Sequence, residues 1–437
     1  MRRRFASLDG HTVCEADYDE PDRYRDLLSL FSHGPIAARG AGISYVAASF
    51  GEGIKSVGMR RFDRILAFDA QARWIEVEAG ASLGKLYDFC RQYSLALPVQ
   101  PGHPQITIGG CIAGNVHGKN QYREGLFGDH VQQIDLFHPA RGLIGLSREH
   151  NTELFALTIG GLGLTGIIVS AKLSLVPMAA SFMTVEHLPV GDLDEAFAVV
   201  AELRASREMV YSWLDLADLA RLGRGYVVAA SSTPNGTETD QPLVYRDMDP
   251  DGVRFRLPLL TRATLPVINR LYRYLGTRQA APRRVPRSEI LFPALGKELY
   301  FNGYGRSGFI ELQALVPESA AKAYIARVVG LVRKHARPIG LTTLKPFRGK
   351  SSFLHYTGNG FSFTIDVPAD SESMNLLSDL DELNCDFGAV TAVMKDSRLS
   401  ANVARRQYPE YALFKERLNA FDPARLFASA LSRRLEL

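Results

Sequence analysis

The 437-residue sequence predicts an α+β protein with more than one domain, and three observations predict it. A glycine-punctuated block of short strands fills residues 36–176. From Phe182 onward, strand-like runs alternate with long helical runs. The chain also exceeds the roughly 250–300 residues at which a single hydrophobic core stops growing.

The elements follow in order. Met1-Arg2-Arg3-Arg4 opens basic, but Asp9, His11, Glu15 and Asp17 arrive before any apolar h-region, so no signal peptide is expected. No run of about 18 apolar residues occurs, so no spanning helix is expected. The expected location is the cytoplasm, with peripheral membrane contact left open. Ile65–Phe68 and Trp74–Glu78 read as strands, the second with alternating apolar and polar residues. Ser82 reads as the cap of a helix through Leu83, Leu86, Tyr87 and Cys90, and Asn151 as the cap of one through Leu154, Phe155 and Leu157. Gly166–Leu175 reads as a strand stopped by Pro177.

In the second half, Val210–Leu214, Gly225–Ala229, Phe309–Val316 and Phe361–Val367 are strand candidates. Helical runs fall near 192–205, 318–335 and 372–384. This grammar gives an antiparallel sheet flanked by helices. Residues 231–250 are polar and turn-rich, a loop. Residues 276–288 carry Arg278, Arg283, Arg284 and Arg287 among prolines, with no acid before Glu289. They read first as a solvated loop and second as a basic lip for an anionic substrate or membrane surface.

Composition excludes some classes. Apolar residues at 46% and charged residues at 22% are ordinary for a globular protein and argue against long disorder. A net charge of +4 makes no case for nucleic acid. Cys14, Cys90, Cys111 and Cys385 lie outside metal-ligand spacing and read as buried reduced thiols, so no metal is expected.

Three glycine motifs carry the chemistry. Arg39-Gly40-Ala41-Gly42-Ile43-Ser44-Tyr45 is a strand entering a tight turn. Its glycines let backbone N–H groups approach an anion, and Ser44 adds a hydroxyl. It is not the G-x-G-x-x-G fingerprint, since Tyr45 stands at the third glycine position. Pro101–Asn120 is rich in glycine and small residues, suited to packing against a flat cofactor, and ends in His117-Gly118-Lys119-Asn120. Thr158–Ile168 places Gly160, Gly161, Gly163 and Gly166 close together, a further wall of the same site.

In this order and at these separations, the motifs resemble the FAD-linked oxidases of the vanillyl-alcohol-oxidase superfamily. Gly114–Asn120, Gly128-Asp129-His130-Val131, Leu164–Ile168, Lys395-Asp396-Ser397-Arg398 and Phe421–Ser429 resemble one branch of it, the decaprenylphosphoryl-β-D-ribose 2-oxidase family. The resemblance implies a two-subdomain FAD-binding domain of the PCMH type at 1–178. A substrate domain at 179–390 follows, and a C-terminal segment at 391–437 returns to the flavin domain. It implies that Arg39–Tyr45 cradles the pyrophosphate. Pro101, Gly102, Thr107, Gly109, Gly110, Asn115, His117 and Gly118 would line the flavin, with Gly163, Gly166 and Ile168 also at the cofactor, Ile168 near its adenine end. Ile43 stands where many relatives carry the flavin-linking histidine, so FAD is expected to be non-covalent.

The resemblance further implies catalytic roles for Lys395 and His117 in hydride loss from a secondary alcohol, with His117 the better base by intrinsic pKa. It implies substrate contacts from Tyr45, Lys119, Glu311, Gln313, Lys345, Ser362 and Thr364. Thr364 stands where mycobacterial members carry a cysteine, Ser362 replaces an asparagine, Glu311 a glutamine and Ala392 a tyrosine. The implied reaction is oxidation of the 2-hydroxyl of a polyprenylphosphoryl-ribose, with a short-chain reductase as partner to complete an epimerisation to the arabinose form. A soluble alditol or sugar-lactone oxidase is the alternative, against which the C-terminal motifs argue. A non-catalytic flavin-fold subunit is a third reading, weakened by the presence of both Lys395 and His117.

Overall fold

The computed structural model describes residues 1–30, 34–233, 241–252, 257–278 and 281–437. A four-stranded sheet runs in the order Arg2–Ala6, Val13–Asp19, Lys55–Gly58, Ile36–Arg39, the last two pairings parallel. The chain end docks on it. Ile36 bridges Phe427 in parallel, and Ala430 and Leu431 donate their N–H groups to Phe50 and Ala47.

A five-stranded antiparallel sheet follows, in the order Ile65–Asp69, Trp74–Glu78, Ile167–Ser174, Val131–His138, Gly142–Ser147. Alternate residues such as Ile75, Val77, Ala171 and Leu173 share one core with Leu83, Leu86 and Cys90 of the Leu83–Cys90 helix and with Ile108 and Ile112 of the Ile108–Ala113 helix. Ser82 caps the first of these helices by accepting from Lys85 N–H, and Thr107 caps the second by accepting from Gly110 N–H.

The third sheet has eight antiparallel strands: Arg283–Pro286, Phe182–Val190, Arg224–Ser232, Met209–Asp215, Thr342–Phe347, Gly360–Pro368, Phe309–Pro317 and Val390–Thr391. Its period of two separates the faces. Ile310, Leu312, Ala314 and Val316 pack with Phe361, Phe363, Ile365 and Val367 beneath the helices Leu193–Leu203, Ala321–His335 and Ser371–Asp386. Asp192 and Asp370 cap the first and third of these helices by accepting from Glu195 and Ser373 N–H. The intervening residues Glu311, Gln313, Ser362, Thr364 and Asp366 therefore project from the opposite face.

Several elements differ from the sequence expectation. Arg283–Pro286 is an edge strand paired with Phe182–Val185, not a loop, and Arg287 pairs with Glu208 at 3.3 Å. Pro286 closes that strand at the sheet edge, where a missing N–H costs nothing. Of the rest of the expected 276–288 loop, 276–277 end the Leu265–Thr277 helix, 287–288 begin the Arg287–Leu291 helix, 278 and 281–282 hold no helix or strand, and 279–280 lie outside the described residues. Of the expected 231–250 loop, Ser231 and Ser232 finish a strand, 234–240 lie outside the described residues, and 241–250 hold no helix or strand. Asn151 precedes its helix without capping it. It sits at φ 53° and sends its amide to Gly145 O. The Ile167–Ser174 strand does stop before Pro177, and Val176–Pro177 forms a separate pairing with Leu95–Ala96. Of the four cysteines, all free, only Cys90 and Cys111 are buried. Cys14 and Cys385 are half-buried.

Candidate active site

A cavity of about 460 Å³ lies between the first two sheets and the polar face of the third. Its floor begins at the turn after Ile36–Arg39. Gly42 has φ +74°, where a side chain would be strained. A Cβ at Gly40 would run into the Thr107 hydroxyl. Among the described residues, the N–H groups of Ala41, Gly42, Ile43 and Ser44 find no acceptor in the protein. Unsatisfied N–H groups at a turn form an anion cradle. The second glycine motif is partly a short helix, which turns Gly109, Gly110 and Asn115 to the cavity. Asn115 takes φ 38° and holds Gly128 N–H by its side-chain oxygen at 2.9 Å.

The roof belongs to the eight-stranded sheet. Glu311 and Asp366 are directly opposed across the Phe309–Pro317 and Gly360–Pro368 ladder, as are Gln313 and Thr364. Lys345 lies on the next strand, opposite Ser362. Lys395 arrives from the C-terminal segment. Its neighbours fix it there: Ser397 donates to Asp9, and Arg398 pairs with Asp396 at 3.0 Å and bonds Asp381. The Lys395 ammonium lies 3.0 Å from Glu311 Oε1 and 3.6 Å from the centre of the Tyr45 ring.

His117 stands 3.4 Å from Gln313 Nε2 and edges against Phe347. Gln313 donates to Ser362 Oγ at 2.8 Å, and Tyr356 donates to the same hydroxyl at 3.0 Å. Lys119 reaches Leu291 O at 3.4 Å.

Three lysines thus share the cavity. Burial, then the charges of Lys345, Lys297 and Lys395, brings Lys119 down to about 7. Burial, then Lys395, brings Lys345 down to about 8, with Glu311 opposing. Burial, then Lys345, Lys395 and Lys119, holds His117 well below its ordinary value, so its imidazole is neutral. That keeps a lone pair available but makes the imidazolium costly, so His117 is a weaker proton holder than its intrinsic value suggests. Burial, then Glu311, pushes Asp366 well above the carboxylate range. Protonated, Asp366 can donate from Oδ1, which no other group satisfies among the described residues, toward the facing Glu311. Its Oδ2 accepts from Tyr300 at 2.7 Å.

Most residues singled out in the sequence line this cavity: Gly40–Tyr45, Pro101, Gly102, Thr107, Gly109, Gly110, Asn115–Lys119, Gly163, Gly166, Ile168, Glu311, Gln313, Lys345, Thr364 and Lys395. Lys345 is therefore no surface lysine. Two do not line it. Arg39 turns its guanidinium beneath the Gly42 turn onto Asp251, at 2.7 Å, and onto Ser49. Ser362 is fully buried behind Gln313. Sequence reasoning missed Asp366, Met248 and His355. Asp366 was legible in principle, since Ser362, Thr364 and Asp366 alternate on one strand face. Met248 and His355 sit in irregular segments that carry no periodic signal.

The residues fit FAD on three grounds: the cradle of unbonded N–H groups, the lysines that suit an anionic cofactor or substrate, and Thr364 Oγ1, a buried hydroxyl without a partner at the cavity wall. When bound, FAD supplies a two-electron acceptor for hydride. Residues 25–144 match the FAD binding domain family model. A decaprenylphosphoryl-β-D-ribose oxidase of Mycolicibacterium smegmatis is 27% identical over 418 residues, covering 92% of this chain and 89% of that one. A Streptomyces coelicolor protein of no assigned activity is 30% identical over 78% of this chain and 96% of its own length. A mitochondrial L-galactono-1,4-lactone dehydrogenase of Arabidopsis thaliana is 32% identical over 42% of this chain and 30% of its own.

Fold and site together define an FAD-dependent oxidoreductase acting on CH–OH groups. Within that class the chain belongs to the decaprenylphosphoryl-β-D-ribose oxidase family of FAD-linked oxidases.

Proposed function

We propose that this enzyme oxidises the 2-hydroxyl of a polyprenylphosphoryl-β-D-ribose to the 2-keto sugar, using non-covalent FAD. The observation that carries the reading is similarity to the mycobacterial ribose oxidase across 92% of the chain, roof and Lys395 segment included. Ile43 in the phosphate turn has no atom that could bond a flavin covalently. His117 and Gln313 present an acceptor and a donor to a sugar hydroxyl. Lys395 stabilises negative charge on the reacting oxygen or on the reduced cofactor. Lys119 and Lys345 hold the phosphodiester.

The 2-keto sugar is half an epimerisation. A short-chain reductase that returns hydride to the other face is the partner that completes it, giving the arabinose form used in glycan or cell-envelope arabinosylation.

An alditol or sugar-lactone oxidase is the second reading, favoured by the lactone dehydrogenase similarity, which spans 42% of the chain. An anaerobic absorbance titration of the FAD-loaded protein separates the two. Bleaching by polyprenylphosphoryl-ribose and not by free aldonolactones or alditols supports the first reading. Bleaching by the free sugars alone overturns it.

A further inference from the structure

The Leu265–Thr277 helix packs on the protein by one edge. Its buried positions are Leu265, Asn269 and Gly276. Asn269 donates to Asp215 at 2.8 Å, and the Tyr272 ring meets Trp213 at 5.0 Å. With about 3.6 residues per turn these positions share one side. The other side carries Val267, Ile268, Leu271, Tyr274 and Leu275. Val267 is 67% exposed and Leu271 59%. A globular protein's surface helix normally puts polar residues there. Among the described residues, nine of the seventeen exposed large hydrophobic side chains fall between Leu257 and Leu299. This concentration sets the region apart from scattered surface leucines.

Charge follows the same boundary. Residues 257–288 contain Arg262, Arg270, Arg273, Arg278, Arg283, Arg284 and Arg287 and no aspartate or glutamate. Among the described residues Arg270, Arg273 and Arg278 join no ion pair. Arg270 and Arg273 flank the apolar stripe, and Arg278 follows its C-terminal end over the Tyr274 ring.

The helix is linked to the cavity through neighbouring side chains. It lies on the sheet face that carries Tyr211 and Trp213, and the Lys119 ammonium stands 5.7 Å from the Tyr211 ring. The following Arg287–Leu291 helix leads to Pro293 and Ala294 in the cavity wall.

We propose that the Leu265–Thr277 helix docks the enzyme on an anionic bilayer. Its Val267, Ile268, Leu271, Tyr274 and Leu275 face enters the headgroup boundary, and Arg270, Arg273 and Arg278 meet lipid phosphates. A second copy of the chain fits the same face poorly. A two-fold contact would set these arginines against their own copies with no carboxylate between them. The inference does not depend on which sugar is oxidised, since binding is read without substrate.

The test is co-sedimentation of the full FAD-loaded chain with phosphatidylcholine vesicles, with and without an equal part of phosphatidylglycerol, at low and high salt. The expected result is partition to the anionic vesicles that weakens with salt. Combined Leu271→Glu and Leu275→Glu substitution should cut partition by about tenfold or more, and Arg270→Ser with Arg273→Ser should remove the preference for anionic lipid. FAD content and melting temperature should match the parent, since these side chains face outward. Failure to bind anionic vesicles at low salt overturns the proposal, as does equal partition by the glutamate variant. A solution dimer that Leu271→Glu dissociates also overturns it, by assigning the face to a second copy.

Discussion

Glu311 and Lys395 form an ion pair of 3.0 Å at the roof of the cavity, joining a strand of the eight-stranded sheet to the C-terminal segment. Glu311 is buried, and Lys395, which lines the cavity, keeps 29% side-chain exposure. The pair offsets one of three ammonium groups in a confined space, and the neighbouring Asp366 is held in its neutral acid form. Glu311 thus sets how much positive charge an anionic ligand meets.

Glu311→Gln should therefore tighten an anionic ligand several-fold, because it removes a carboxylate from a site of low effective dielectric. A titration of the flavin absorbance with polyprenyl phosphate measures this. Unchanged or weaker binding would mean that Lys395 already neutralises Glu311 toward the ligand.

Lys395→Ala should abolish flavin reduction by substrate while FAD stays bound. Stopped-flow absorbance reads the first and the cofactor content of the purified protein reads the second. Reduction at the parental rate would remove Lys395 from the chemistry.

The pH dependence has a definite sign. Lys119 and Lys345 titrate at about 7 and about 8, below the roughly 10.4 of free lysine. Between those limits the unfolded chain binds more protons than the folded one. The FAD-free protein should then be least favoured below about pH 7 and gain stability as pH rises toward about 10. Anionic ligands need the ammonium forms, so their affinity should fall across about pH 7 to 8. Melting temperature against pH checks the first trend, and Lys119→Met should flatten its slope.

Gly40→Ala places a methyl group on the Thr107 hydroxyl that caps the Ile108–Ala113 helix. Overpacking of this kind costs about 1–3 kcal/mol. The variant should purify with little FAD and melt lower than the parent apoprotein. Full FAD occupancy would show that the turn relaxes without disturbing the cradle.

Arg39→Met leaves Asp251, with 7% side-chain exposure, with Ala6 N–H at 3.0 Å and Arg3 at 3.6 Å as the partners of its carboxylate among the described residues. Breaking one side of a buried pair costs about 3–5 kcal/mol. Denaturant unfolding should show that loss, and Asp251→Asn should cost less because the amide still accepts one hydrogen bond. Equal losses would mean that the charge is immaterial and packing decides.

What the sequence determined by itself is what depends on short range. Alternation in Trp74–Glu78 and Gly360–Pro368, the apolar-rich run of Phe309–Pro317 and the helical spacing of Leu83–Cys90 and Ala321–His335 are local patterns, and the glycines at 40 and 42 mark a turn that few other residues can make. The motifs Gly114–Asn120 and Lys395–Arg398 carried the family for the same reason: each is a contiguous run. Local signals misled where pairing overrides propensity, as in the proline-flanked Arg283–Pro286, which is a strand only because Phe182–Val185 offers an edge. Tertiary structure alone decided that Glu311 meets Lys395, that Asp366 is a neutral acid, that Arg39 serves Asp251 and not the cavity, and that Ser362 supports Gln313 from behind. Those relations follow from strand register and from the return of the C-terminal segment, which fix distances between residues far apart in the chain. Burial then holds Asp366 in its neutral form.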